Sequence, residues 1–417
     1  MTERRVVVTG LGAITPFGVG VDKLWENLKA GKSGISTSES IDISKHVVHI
    51  SGEVKPKDFN PEDYMDAKDI KRTDRFVQFA LAAAQEAVED SKILEADIDP
   101  YRVGVIVSSA AGGFNTFEDN HARIMQKGPN KCSPFTIPMM IVNMPSGRIS
   151  MKYGFKGVNK VVVSACATGT HSIGDAYRAI QYGDADVILA GGTESTICDV
   201  GIGAFSAART LSRRNDEPQK ASRPYDKDRD GFVMSEGAAV LVLEEYEHAK
   251  KRGAHIYAEV VGYGQTGDAY DMVAPDPEGK GAEKSMEFAL KDAGMKPTDI
   301  DYINTHGTST GLGDKAESHA IAHVFGDRKQ NPDLYVSSTK SMHGHVLGAT
   351  GAVEAIACIK TMNDGIVPPT INLDNQDEEV ADLNYVPNVA QKAEIKTSLS
   401  NSFGFGGQNA TLIFRSV

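Results

Sequence analysis

The sequence predicts an α/β fold built from two similar halves. Short apolar runs such as Val6-Val7-Val8, Val103-Gly104-Val105-Ile106-Val107 and Ala238-Ala239-Val240-Leu241-Val242-Leu243 end in small-residue turns and alternate with helical periodicities. Arg5-Val6-Val7-Val8-Thr9-Gly10-Leu11-Gly12 is echoed by Ala258-Glu259-Val260-Val261-Gly262-Tyr263-Gly264, just past the basic run Lys250-Lys251-Arg252-Gly253. Asp301-Tyr302-Ile303-Asn304 parallels the run at 103, and Leu334-Tyr335-Val336-Ser337 with the following helix parallels Val161-Val162-Val163 and its helix. The halves divide at 1–252 and 253–417. Duplication about a pseudo-twofold axis brings equivalent strand-to-helix junctions to one centre, where residues of both halves can share a site.

Composition bounds the function. The chain has 417 residues, 41% hydrophobic and 24% charged, an ordinary globular make-up. Its net charge of −12 excludes a general nucleic-acid or anionic-membrane binder, so an acidic partner needs a local basic patch. No apolar run is long enough to span a membrane, and the first strand follows no signal-type stretch, so a cytoplasmic location is expected. Cys132, Cys166, Cys198 and Cys358 have no C-x-x-C or Cys/His zinc spacing, so no disulfide and no metal is expected.

Taken in order, the first strand is read as entering a glycine turn, but Thr15 and Pro16 stand where a dinucleotide-binding fingerprint needs a third glycine and a helix. Leu24, Trp25 and Leu28 mark a helix ending near Gly31, and residues 32–70 read as surface loops broken by Pro56 and Pro61. Lys68, Lys71, Arg72 and Arg75 gather at the start of the helix carrying Phe76, Phe79, Ala80 and Ala83; cations there oppose the helix dipole, which favours a docking role. Asp226-Lys227-Asp228-Arg229-Asp230-Gly231 begins like an EF-hand loop, yet Gly237 holds the position of the bidentate glutamate; a charged surface turn is expected.

Cys166 is the candidate nucleophile. The valine run at 161–163 reads as a buried strand, and Ile173, Tyr177 and Ile180 recur at helical spacing until Gly183, which places the sulfur at a helix N-terminus. Backbone N–H groups there favour thiolate and can hold an oxyanion. In the second half, His306 in Asn304-Thr305-His306-Gly307-Thr308-Ser309-Thr310 and His345 in Lys340-Ser341-Met342-His343-Gly344-His345 fall at strand ends. Glu354 sits in an otherwise apolar helix and needs a partner, for which Lys340 is the candidate. Leu399-Ser400-Asn401-Ser402-Phe403-Gly404-Phe405-Gly406-Gly407 reads as a glycine-rich loop in which the Phe405 ring can swing.

A cysteine on a strand-to-helix turn, His-Gly-Thr-Ser-Thr, Lys-Ser-x-x-Gly-His and Asn-Ser-Phe-Gly-Phe-Gly-Gly, in this order, resemble the β-ketoacyl-(acyl carrier protein) synthases, and among them synthase II, over nearly the whole chain. The resemblance implies a thiolase fold of five layers (αβαβα), a homodimer, and elongation of fatty acyl chains by decarboxylative Claisen condensation. It implies no bound cofactor, the acyl and malonyl groups arriving on the phosphopantetheine of an acidic acyl carrier protein. By motif, Cys166 takes the acyl group, His306 and His345 serve the malonyl thioester, and Lys340 is the site lysine. Phe405 is the gate and, with the Cys166 amide, the oxyanion donor. Thr308, Thr310, Ala111 and Phe205 bind substrate, and Lys68, Lys71, Arg72 and Arg209 dock the carrier protein. Ala111, Gly311, His343 and Gln408 depart from the expected pattern; Ala111 replaces a larger residue that narrows the acyl pocket. A thiolase would need a second cysteine beyond Cys358, an initiating synthase an asparagine at His345, and a chain-length-factor scaffold no Cys166. A ketosynthase of a polyketide or polyene pathway is the alternative that uses the same residues.

Overall fold

A computed structural model describes residues 4–417. The principal strands are β1 (Val6–Thr15), β2 (Val103–Ser108), β3 (Val187–Glu194), β4 (Gly237–Glu245), β5 (Ala258–Gly267), β6 (Tyr302–Asn304), β7 (Tyr335–Ser337), β8 (Thr397–Gly404) and β9 (Gln408–Arg415). They run in the order β7-β6-β8-β9-β5-β1-β4-β3-β2. Outward from the middle, β1-β4-β3-β2 repeats β5-β9-β8-β6, each group in the same chain order. The two groups meet only where Val6, Val7 and Val8 pair antiparallel with Val260, Glu259 and Ala258.

Helices complete the layers. α1 (Arg75–Ser91) and α2 (Met144–Tyr153) cover the outer face of the first group of strands, and α4 (Lys280–Ala293) with α5 (Gly311–Phe325) covers that of the second. Between the groups lie α3 (Thr168–Gln181) and α6 (Thr350–Asp364), in contact with each other and with strands of both halves. Both are buried along most of their length, which explains their small and apolar composition on nearly every face. No helix among the described residues is long and apolar enough to cross a membrane.

Several local expectations need correction. The Gly-x-Gly pairs lie inside strands, where α1 and α4 press against the backbone. A Cβ on Gly12 would lie 2.0 Å from the Ala83 carbonyl oxygen, and one on Gly264 would lie 2.0 Å from that of Ser285. Residues 161–163 form no regular strand and are not buried: Val163 is 49% exposed. They continue an edge segment that, among the described residues, bridges to the sheet at Asn159 with Val105 of β2. The glycine-rich loop is shorter than expected, because Leu399 to Gly404 belong to β8 and the turn is confined to 405–407. In the charged turn at 226–231, Lys227, Asp228 and Asp230 are exposed, but Asp226 is fully buried: its carboxylate accepts from the backbone N–H groups of Asp228, Asp374 and Asn375 and from Arg223 Nε.

Substituting Gly12 or Gly264 with valine should therefore lower stability by about 1–3 kcal/mol, the usual cost of overpacking. Denaturant midpoints measure it; valine tolerated at both positions would contradict this packing.

Candidate active site

The pseudo-symmetry delivers matching turns to the centre. Ala165–Ala167 and Leu347–Ala349 are each one turn of 3-10 helix leading into α3 and α6, and they touch. Cys166 is the middle residue of the first and Gly348 that of the second. The residue before each, Ala165 (φ +50°) and Leu347 (φ +47°), is left-handed, a conformation non-glycine residues rarely hold without surrounding constraint.

One cavity gathers most of the residues picked from the sequence: Cys166, Phe205, His306, Thr308, Thr310, His345 and Phe405. His306 and His345 stand edge to face with ring centroids 5.5 Å apart. Phe405 lies 6.2 Å from Phe205, ring centre to ring centre. The hydroxyls of Thr308 and Thr310 are 3.1 Å apart. Lys340, fully buried behind the histidines, reaches Glu354 at 2.5 Å. Among the buried polar atoms without a protein partner are His306 Nδ1, His345 Nε2 and Glu354 Oε2. Such orphans mark a place where a polar ligand or water belongs.

Each histidine is held from behind. The backbone N–H groups of His306 and Gly307 donate to Glu317 at 2.8 and 2.7 Å. His345 pairs its backbone with Val233 and Ser235, and the Thr350 hydroxyl lies 2.9 Å from its Nδ1. A hydroxyl donating into Nδ1 leaves the proton on Nε2, the unpartnered nitrogen. Burial, reinforced by the Lys340 ammonium, holds both imidazoles well below the usual histidine range, so they are neutral. Burial pushes Glu317 up to about 7.

The sulfur behaves differently from the sequence expectation. Part of Cys166 faces the cavity, but burial pushes the thiol up to about 11, against the Lys340 ammonium and the N–H groups of Phe405 and Cys166 itself. Desolvation outweighs the helix-start N–H groups, and the resting form is the thiol.

The remaining positions are less central. Ala111 does not line this cavity; its N–H donates to Glu194 at 3.3 Å. Lys68, Lys71, Arg72 and Arg209 are all exposed, whereas Arg75 turns inward to Glu236 at 2.8 Å. His343 is buried but turned away: Nδ1–H donates to the Gly344 carbonyl, and Nε2 accepts from Thr339 Oγ1 at 3.0 Å. Gly311 opens α5, and its carbonyl accepts from Arg229. Gln408 is exposed outside the cavity. Sequence reasoning missed Glu317 and Thr350; Asp314 and Glu317, two acidic residues three apart just after the His306 motif, were the available signal for the first.

Models of the N-terminal and C-terminal domains of β-ketoacyl synthases match residues 3–249 and 257–374. The chain belongs to the β-ketoacyl synthase family. The 3-oxoacyl-[acyl-carrier-protein] synthase 2 of Coxiella burnetii is 51% identical over 417 residues and 100% of both chains. The protein of that name from Synechocystis sp. is 48% identical, covering 100% of this chain and 99% of the relative. Among solved structures, a type II polyketide ketosynthase, in complex with its acyl-carrier protein and bound to the hexaketide, superposes with a TM-score of 0.92 at 36% identity over 100% of each chain. A β-ketoacyl synthase from Burkholderia phymatum gives 0.91 at 35% identity, covering 99% of this chain and 100% of the other. The paired halves around two central helices are thus the thiolase fold of the synthases.

Alkylation of Cys166 by iodoacetamide, followed by peptide mass, should accelerate with pH without levelling below about pH 10. The double variant Lys340→Met/Glu354→Leu removes the ammonium without leaving a lone buried charge, and should shift that profile upward. A plateau near neutrality in the parent would contradict the site's electrostatics.

Proposed function

We propose that this chain is an elongating β-ketoacyl-(acyl carrier protein) synthase, an acyltransferase of fatty acid biosynthesis. The observation that carries the reading is the meeting of Cys166, His306 and His345 in one cavity behind Phe405. In the first half-reaction the Cys166 sulfur attacks the acyl thioester. The carbonyl carbon gains a bond to the cysteine and loses its bond to the pantetheine sulfur, which leaves with the thiol proton. The N–H groups of Cys166 and Phe405 stabilise the oxyanion. A thiol that ionises only above neutrality keeps the resting enzyme unreactive, and approach of the thioester draws the proton off during transfer.

In the second half-reaction the malonyl thioester carbonyl takes the place of the missing partners of His306 and His345. Neutral imidazoles donating N–H to that oxygen stabilise the enolate formed as the carboxylate carbon leaves as carbon dioxide. The enolate carbon then bonds to the acyl carbonyl carbon, the bond to Cys166 breaks, and the sulfur leaves as a thiolate that takes a proton from water. Lys340 supplies positive potential behind the histidines, and Glu354 balances it. Thr308 and Thr310 offer hydroxyls to the pantetheine arm, and Phe205 packs beside the gate formed by Phe405, whose following glycines, Gly406 and Gly407, take positive φ.

The carrier protein is the proposed partner, with Lys68, Lys71, Arg72 and Arg209 meeting its acidic surface. Residues 1–252 and 253–417 are the proposed halves, and a homodimer in the cytoplasm is the proposed state. The open edge at residues 161–163 supports the dimer, since Phe117, Ile137, Ile141 and Val163 are all more than a third exposed. Identity near 50% to proteins named synthase 2, against 36% to the polyketide ketosynthase, favours the fatty-acid reading over a specialised pathway. Retention of Cys166 opposes a scaffold role.

Intact-mass analysis with a series of acyl carrier proteins and malonyl carrier tests this. The parent should form an acyl adduct and a two-carbon-longer product. Cys166→Ser should form neither, while His306→Ala and His345→Ala should keep the adduct and lose condensation by about a hundredfold or more. Adduct formation by Cys166→Ser, or an unmodified parent, would sink the reading. Ala111→Ile should shorten the accepted chain; an unchanged chain-length profile removes Ala111 from the acyl pocket.

A further inference from the structure

Glu194, at the end of β3, is fully buried and takes part in no step above. Its carboxylate accepts from Ser109 Oγ at 2.6 Å, Ala110 N at 3.0 Å, Ala111 N at 3.3 Å and Gly348 N at 3.1 Å. These donors come from two unconnected segments, the loop after β2 and the turn that follows His345. Gly348 is the pseudo-symmetric counterpart of Cys166. Cys166 lines the cavity, whereas at Gly348 the turn's N–H is filled by a carboxylate from within the chain. The fit leaves no room for a side chain there: a Cβ on Gly348 would lie 2.7 Å from Glu194 Oε2 and 2.7 Å from Ala110 N. Ser109 Oγ also accepts from Gly112 N at 2.8 Å, extending the hold around the loop.

We propose that Glu194 is a positioning residue, a buried clasp that binds the 109–111 loop to the Leu347–Ala349 turn so that the Ala111 segment and the His345 segment move as one body. The clasp rests on its four hydrogen bonds and not on the proposed role of Ala111. Glu194 is also one of the charges acting on the Cys166 sulfur, where it opposes the Lys340 ammonium; His306 and His345 face the same sulfur as neutral groups.

Two variants of the full chain test this, Glu194→Gln and Ser109→Ala. An amide nitrogen in place of one carboxylate oxygen faces N–H donors, so Glu194→Gln should speed hydrogen exchange about tenfold or more in peptides spanning both 109–111 and 347–349. Ser109→Ala leaves the Gly348 contact and should loosen only the first. Thiolate absorbance, taken as the difference from Cys166→Ser, should titrate about half a unit or more lower in Glu194→Gln and stay parent-like in Ser109→Ala, which loosens the 109–111 loop while keeping the Glu194 charge. Parent-like exchange in either peptide of Glu194→Gln, or an unmoved titration, overturns the clasp. If Glu194→Gln fails to fold, Ser109→Ala decides: faster exchange at 109–111 with a parent-like 347–349 supports the clasp, and parent-like exchange at both overturns it. None of these readouts uses an acyl carrier, so failure of the synthase reading leaves them intact.

Discussion

Where α3 and α6 begin, the two helices nearly share space. A Cβ on Gly169 would lie 3.0 Å from the backbone of Ala352 and of Gly348, and a Cβ on Gly351 would lie 2.0 Å from Thr170 Oγ1. Only a pair of glycines lets the helix starts cross this closely, and the crossing is what carries Cys166 of one half to the Gly348 turn of the other. His345 precedes that turn and His306 ends the neighbouring strand, so both arrive with it.

The electrostatics follow from bringing these groups together without water. Three imidazoles are buried around one ammonium, and burial keeps them neutral, His343 as far down as about 3. Lys340 would be intolerable there alone; Glu354 at 2.5 Å makes it possible. Lys340 and Glu194 act on the sulfur in opposite senses, and its own desolvation decides the resting state. The site is therefore poised around neutral donors and one fixed positive charge, an arrangement suited to charge that develops on a thioester oxygen rather than to a preformed ion pair.

Much of this was legible in the chain. Strands buried on both faces, such as β2 and β4, were readable because that burial leaves a continuous apolar signature. Cys166, His306 and His345 were readable because junction motifs are local. Residues 161–163 misled because an edge segment carries the same valines without burying them. Gly10 and Gly12 misled because close helix packing and a tight turn both demand glycine, and sequence alone does not separate them. Glu194 was silent for a different reason: it acts on partners that only the folded chain brings near.

The central claim is that the glycine crossing of α3 and α6 assembles the site. The measurement that tests it most directly is the rate of acyl transfer to Cys166 in Gly351→Ala, set beside Gly351→Ala/Thr170→Ala, with dimer content and melting followed for both. The account predicts that the single variant stays folded but loses transfer, and that removing the Thr170 hydroxyl restores part of it. Full transfer by Gly351→Ala would show that Cys166 reaches its place without the crossing and would contradict the account.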